Sequence, residues 1–221
     1  PPNDYELRFI LIQHARDQLN LRGFNEETSP LIEFAIQEAE KSIKAAPQFV
    51  PNHLLLAELY LAISQPHQNF LDQAEALAHE ALAQAPSRYQ TFTLLGRIKM
   101  SQARFEEGID YFKQAIALND KFAEAHWNLA IAYILSGRAP EAQGELDRAN
   151  ELGFNIYQDN NIEKLLQAYS DSKDLTATIS FLETLTRRFP DNQNYREELA
   201  GLKKLLEQVL EAARGREPIA E

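Results

Sequence analysis

Cysteine is absent from the 221 residues, which excludes disulfide bonds, zinc–thiolate sites and thiol nucleophiles together. Positive charge is also scarce, because 22 Lys and Arg residues are set against 33 Asp and Glu residues and leave a net charge of -11. An acidic chain repels nucleic-acid phosphates and anionic lipids, so we predict no nucleic-acid partner and no membrane-surface partner. No apolar run approaches the roughly 18 residues that a membrane-spanning helix needs, so direct membrane insertion is not expected.

Signatures of catalysis are missing as well. The sequence has neither a Gly-rich phosphate-binding loop nor a G-x-S-x-G motif. Its five His residues are never three or four positions apart, so no two of them can bind a metal from one helical face. Adjacent carboxylates such as Glu106-Glu107 do not face each other on a helix, and we interpret them as solvated. We therefore predict a protein that is not an enzyme and that has no cofactor and no metal site.

What the sequence does contain is a repeat of 34 residues. Leu95-Gly96 returns as Leu129-Ala130, and the small and apolar residues that follow return with it: Gly108, Phe112 and Ala115 as Ala142, Leu146 and Ala149. Small residues let two antiparallel helices approach closely, and larger apolar residues fill the space to the next pair. One such pair cannot bury its own apolar face, so the pattern predicts a stacked array of helix pairs.

Residues 89–122 resemble a tetratricopeptide repeat nearly from end to end. Leu95-Gly96 match the Leu and the small residue of that family's first helix, and Phe105 matches the aromatic residue at its turn. The small–aromatic–small pattern of the second helix is supplied by Gly108, Phe112 and Ala115. Residues 123–156 repeat the pattern, but His126 stands where the family usually has Trp.

The resemblance implies an all-α fold, a right-handed solenoid of about five helix–turn–helix units with a C-terminal capping helix. We expect one domain over residues 1–221, divided as a degenerate repeat at 1–48, repeats at 49–88, 89–122 and 123–156, a degenerate repeat at 157–192, a capping helix at 193–214 and a tail at 215–221. A terminal helix in such an array shields the stack from water with a polar outer face.

The resemblance also implies where a partner binds. In this family the first helix of each pair lines the concave surface, which suits a peptide or a helix of another protein. Helical spacing then predicts the residues of a partner-binding groove, namely Leu54, Glu58, Gln90, Thr93, Arg97, Met100, Trp127, Ile131 and Ile134. The last repeat adds a more polar stripe of Asn160, Glu163, Gln167, Ser170 and Asp171.

The stretch 123–135 is apolar on nearly every side and carries the only Trp of the chain. A helix of this kind is either fully buried or left open for a partner. We hypothesise a groove centred on Trp127 with Arg97 as its cation; the alternative is that a neighbouring element or a second copy covers this face. Some family members clamp a partner's carboxylates with Lys, Asn and Arg here, but only Arg97 and Asn128 correspond, so we do not predict that activity.

The first functional hypothesis is an interaction scaffold that binds a peptide or protein segment in the groove. The second is an accessory domain of a larger bacterial membrane protein, such as a polysaccharide polymerase or ligase. It is suggested by the start at Pro1-Pro2, which has neither an initiator Met nor a signal-peptide pattern and which we interpret as a cut point. We expect a soluble segment, cytoplasmic or periplasmic, with tethering through an upstream region as the alternative. Binding by the convex face and self-association through exposed apolar surface also stay open.

Overall fold

The computed structural model describes residues 4–64 and 68–214, which form eleven α-helices and no strand. In chain order the helices are α1 (Asp4–Arg22), α2 (Ser29–Ala45), α3 (Val50–Ala62), α4 (Gln68–Gln84), α5 (Tyr89–Ser101), α6 (Phe105–Leu118), α7 (Ala123–Leu135), α8 (Ala139–Glu151), α9 (Asp159–Ser172), α10 (Leu175–Arg188) and α11 (Gln193–Arg214). The tail predicted at 215–221 lies outside the described residues.

Successive helices pack as pairs, from α1 with α2 to α9 with α10, and α11 packs on α10. The first helices of the pairs, α1, α3, α5, α7 and α9, also contact one another in order and form one layer of the molecule. The second helices form the other layer. The predicted all-α solenoid of five helix pairs and a terminal helix is thus confirmed.

The turns inside the pairs repeat a backbone feature as well as a sequence. Ala103, Gly137 and Lys173 each have a left-handed backbone, with φ of 57°, 74° and 58°. Gly137 adopts this conformation freely, whereas Ala103 and Lys173 do so against the repulsion of their own Cβ. Three non-identical residues therefore make the same turn because the packing of the two helices imposes it.

The buried apolar residues form two clusters along the solenoid. One extends from Ile12 in α1 to Ile98 in α5, and the other from Ile109 in α6 to Leu185 in α10. The alanines of the repeat pattern are wholly buried where helices cross, at Ala57, Ala74, Ala130 and Ala142. Since a methyl group is the largest side chain that such a close approach admits, these positions explain why small residues recur in the sequence.

Buried polar groups, among them Lys99 and His126, join neighbouring helices. Lys99, only 3% exposed, donates from Nζ to Glu75 Oε1 of α4 at 2.5 Å, and Gln102 Nε2 donates to the other oxygen of Glu75 at 2.8 Å. His126, which occupies the family's Trp position, is buried with Nδ1 2.6 Å from Glu145 Oε2 of α8. Each buried charge or ring nitrogen thus has a partner, as burial requires.

The stacking changes between α8 and α9. The first helices α3, α5 and α7 each pack on the second helix of the preceding pair, but among the described helices α9 packs on α7 and makes no comparable contact with α8. A seven-residue linker, 152–158, separates α8 from α9 and carries the buried Ile156 and the half-buried Phe154. The side chains of the linker therefore occupy the space that direct helix–helix packing occupies between the earlier pairs.

The last helix differs from the polar cap expected of it. Leu205, Val209 and Leu210 of α11 are 46%, 52% and 47% exposed, so the outer face of its second half is apolar. This correction has a geometric reason: α11 has 22 residues and α10 only 14, so the end of α11 extends beyond the helix on which it packs. None of the described helices is long and apolar enough to cross a bilayer.

Candidate binding groove

The first helices of all five pairs contribute to one cavity on their shared side. Its volume is about 610 Å³. The residues that line it are Arg16 from α1, Glu58 and Ala62 from α3, Arg97 from α5, Glu124, Trp127 and Asn128 from α7, Phe154 from the linker, and Asn160 and Lys164 from α9. The cavity follows from the stacking, because each first helix presents one short stretch of its surface to the same side.

Two of the three cations in the groove are unpaired. Arg16 Nη1 lies 3.1 Å from Glu58 Oε2, so its charge is matched within the groove. Arg97 and Lys164 have no hydrogen bond or ion pair to any described residue. Because a guanidinium and an ammonium carry only donors, both require acceptors from water or from a bound molecule.

Asn128 adds a third donor without a partner. Its Nδ2 is inaccessible to solvent and has no hydrogen-bond partner among the described residues. An unsatisfied buried donor costs about 1–3 kcal/mol, and because this one is inaccessible to solvent, a bound molecule reaches it only if the Asn128 side chain moves. Asn160, at the exposed start of α9, also has no partner among the described residues. The groove therefore offers three accessible polar groups without a partner among the described residues, namely Arg97, Asn160 and Lys164, and two of them are cationic.

Trp127 is covered, which corrects the hypothesis of an open aromatic anchor. The side chain is 5% exposed, and its ring stacks on the Phe154 ring with the centroids 4.8 Å apart. The covering element is the linker between α8 and α9. Neither α1 nor a second copy is needed to account for the burial. Trp127 contributes only a small part of its surface to the cavity wall.

The predicted groove residues separate into two groups. Glu58, Arg97 and Trp127 line the cavity. The remaining six do not: Leu54, Thr93 and Ile134 are buried between helices, and Gln90, Met100 and Ile131 are half-buried outside the cavity. The open stripe of each first helix is narrower than predicted because neighbouring pairs cover both of its flanks.

Six lining residues are absent from the predicted groove list, namely Arg16, Ala62, Glu124, Asn128, Phe154 and Lys164. Ala62, Glu124 and Asn128 lie on the same stretches of α3 and α7 as the predicted Glu58 and Trp127. A signal for Lys164 existed, because it is the sixth residue of α9 just as Asn128 is the sixth residue of α7. The interval between them is 36 residues instead of 34, since the linker adds two. Arg16 and Phe154 belong to segments that do not follow the repeat pattern, so no periodic signal could identify them.

Comparisons with known proteins agree with the repeat pattern. A tetratricopeptide-repeat family model matches residues 99–169. A thermophilic tetratricopeptide-repeat protein of Thermus thermophilus superposes with a TM-score of 0.57 at 16% identity, over 88% of this chain and 98% of that chain. A crystal structure of MamA gives a TM-score of 0.51 at 19% identity, over 86% and 95% of the two chains.

A further similar structure is an O-GlcNAc transferase of Thermobaculum terrenum, with a TM-score of 0.52 and 20% identity. The superposition covers 68% of this chain but only 27% of the transferase chain, so the likeness concerns only the helical-repeat part of the transferase. A sequence comparison with curated proteins finds no match. The 34-residue pattern, the paired helices and the match of the family model lead to one conclusion: residues 99–169 match the tetratricopeptide-repeat family, and the described helices together have the fold of a tetratricopeptide-repeat solenoid.

Proposed function

We propose that the chain is a scaffold that binds an extended segment of another protein in the groove, and that this segment carries acidic side chains or a free carboxylate. The observation that supports the proposal is the pair of unpaired cations, Arg97 and Lys164, in one cavity together with the unpartnered amide of Asn160. A carboxylate satisfies such donors with hydrogen bonds that are stronger than those of neutral acceptors.

The dimensions of the groove favour a polypeptide over a compact ligand. The cavity reaches from Arg16 in α1 to Lys164 in α9, across five helices. Packed helices lie about 8–10 Å apart, so the groove is about 32–40 Å long. An extended chain rises about 3.3 Å per residue, and a segment of about ten residues therefore spans the groove.

The charge of the groove is opposite to that of the whole chain. Its lining has three cations, Arg16, Arg97 and Lys164, and two carboxylates, Glu58 and Glu124, which leaves one net positive charge. The chain as a whole carries -11. An acidic segment is repelled by the rest of the surface and attracted here, and this contrast directs it to the groove.

The experiment is a selection from a random ten-residue peptide library, followed by affinity measurement with fluorescence anisotropy. We expect the selected peptides to be rich in Asp and Glu. We expect an Arg97→Glu, Lys164→Glu variant to bind them at least ten-fold more weakly, with the loss reduced at high salt because the contribution is electrostatic.

A matched control makes the same change of charge outside the groove. Lys44 and Lys121 are exposed and have no ion pair among the described residues. Their double substitution by Glu gives the same net charge as the groove variant, so binding should be reduced only slightly. If no peptide is enriched, or if both variants bind equally well, the groove is not the binding surface.

A further inference from the structure

The second half of α11 presents an apolar face that no described residue covers. Leu202 still packs against the core, but Leu205, Val209 and Leu210 are each about half exposed. At 1.5 Å per residue, the eight additional residues of α11 relative to α10 correspond to about 12 Å of helix. A terminal helix that only shields the stack needs no apolar residues on this part of its surface.

The spacing of the apolar residues in this segment is the same in both directions. The apolar residues concerned are Leu202, Leu205, Leu206, Val209, Leu210 and Ala213. The spacing is symmetric about the midpoint between Glu207 and Gln208. Position 206 corresponds to 209, position 205 to 210 and position 202 to 213. In an antiparallel contact about a two-fold axis, residue i of one copy faces residue j of the other and the reverse, so this spacing places apolar residues opposite apolar residues.

The same residues follow the spacing of a coiled coil. Positions 195, 199, 202, 206, 209 and 213 are separated alternately by four and three residues, and all of them are apolar or aromatic. This is the a/d pattern with which a helix packs along a second helix. The first part of the seam packs on α10, Leu206 is half-buried, and Val209 is 52% exposed, so the second part of the seam is left open to a partner.

The charge of α11 also suits a second copy of the chain. Its four basic residues, Arg196, Lys203, Lys204 and Arg214, equal in number its four acidic residues, Glu197, Glu198, Glu207 and Glu211. Since the chain as a whole carries -11, most of its surface repels another copy. The neutral α11 is where two copies can approach with little electrostatic opposition.

We propose that two copies of the chain associate through the apolar face of α11, with the two helices antiparallel around a two-fold axis between Glu207 and Gln208. Leu206 then faces Val209 of the second copy, and Leu205 faces Leu210 of the second copy. Few side chains contribute, so the interface belongs to the small, reversible class and the dimer forms as concentration rises. The association does not involve the groove.

The first test is sedimentation equilibrium over a wide range of protein concentration. The mass should rise from 25.2 kDa toward twice that value. Val209→Glu should keep the chain monomeric, because it places a charge in the apolar contact. Gln208→Glu, the matched control, adds the same charge about 100° away around the helix and should still dimerise. Val209 is already 52% exposed, so its substitution leaves the monomer folded, which circular dichroism would verify.

The second test uses the absence of cysteine to determine the orientation of the helices. A Leu205→Cys, Leu210→Cys variant should form an intermolecular disulfide under mild oxidation. Leu210→Cys alone should form little, because antiparallel helices place the two copies of position 210 about 7.5 Å apart along the helix axis, in addition to the distance between the helices. Efficient cross-linking of the single variant would instead indicate parallel helices and overturn the proposed geometry. A mass of 25.2 kDa at every concentration, or a dimer that Val209→Glu leaves intact, would overturn the interface itself.

Discussion

At Gly96 the two helices of one pair approach so closely that no side chain fits between them. A Cβ atom at this position would lie 2.4 Å from Cε1 of Phe112, which is itself wholly buried in α6. Related positions in α3 and α7 hold Ala57 and Ala130. The glycine in α5 is therefore matched to the aromatic ring of its own repeat.

Gly96→Ala should lower the stability of the chain, although Ala is the better helix former. The gain in helix propensity is about 0.5–1 kcal/mol, but overpacking of a filled core costs about 1–3 kcal/mol, and Phe112 has no free space to move into. We expect a lower urea midpoint, measured by circular dichroism. Gly144→Ala in α8 is the control: no atom lies within 4 Å of its added methyl group, and the midpoint should rise. A rise in both variants would contradict the packing argument.

Glu75 is a residue whose ionisation couples stability to pH. Burial by itself would raise its pKa, but hydrogen bonds from Lys99 and Gln102 outweigh burial, and the pKa of Glu75 lies below the ordinary value of 4.5. A carboxylate with a lowered pKa stabilises the folded state above its unfolded pKa, and this stabilisation is lost as the pH falls through the folded value.

The melting temperature should therefore fall below about pH 4.5, and part of that fall should disappear in Glu75→Gln. At neutral pH the same variant should be less stable by about 1.5–3 kcal/mol, because buried Lys99 loses the carboxylate to which it donates a hydrogen bond and keeps only the more distant carboxylate of Glu107. Glu26→Gln, at an exposed carboxylate without an ion pair among the described residues, should leave the pH profile unchanged. If the melting temperature of Glu75→Gln fell below pH 4.5 just as that of the unsubstituted chain does, other carboxylates would be responsible for the fall.

At the scale of elements, the linker between α8 and α9 determines the character of the groove. Phe154 covers the Trp127 ring and so replaces an aromatic surface by a mainly polar one. The linker also separates α9 from α8, which leaves α9 packed on α7 and brings Lys164 to the cavity. One irregular segment thus changes both the shape and the charge of the site.

Phe154→Ala should expose the only tryptophan of the chain. We expect a red shift of Trp127 emission and a marked increase in quenching by iodide, since the stacked ring is removed. We also expect a loss of about 1–3 kcal/mol in stability. Phe24→Ala, in the linker between α1 and α2, is the control and should leave the emission unchanged. Emission that stays blue-shifted and protected in Phe154→Ala would mean that another element buries Trp127.

The sequence was sufficient to predict the regular elements because packing constrains them strongly. Gly96 and Ala130 are small since helices cross there, and their 34-residue interval therefore indicates the helix pairs. Phe154 and Ile156 lie in a linker without such an interval, and their burial depends on contacts that no local pattern encodes. The apolar stretch 123–135 was compatible with an open or a covered face, and only the position of the linker decided between them.

At the scale of the whole molecule, the groove depends on the superposition of five helices. Spacing within one helix identified Arg97 and Trp127, because both lie on an inward stripe. It could not identify Arg16, whose helix carries no recognisable repeat, or Lys164, whose register is shifted by the two additional linker residues. A site shared by several repeats is sensitive to each irregularity between them, whereas the fold tolerates such irregularities.

The two core clusters meet between α5 and α6, inside a single repeat and not between repeats. Each half of the solenoid therefore has its own source of folding cooperativity, and the close contact of Gly96 with Phe112 is a main connection between them. Unfolding that starts at one end of the solenoid can stop at this boundary while the other half keeps its structure. Most of the groove lining belongs to the second half of the solenoid, but Arg16 and Glu58 belong to the first. A partner that contacts both halves binds only when both are folded, so its binding would make the two halves unfold together.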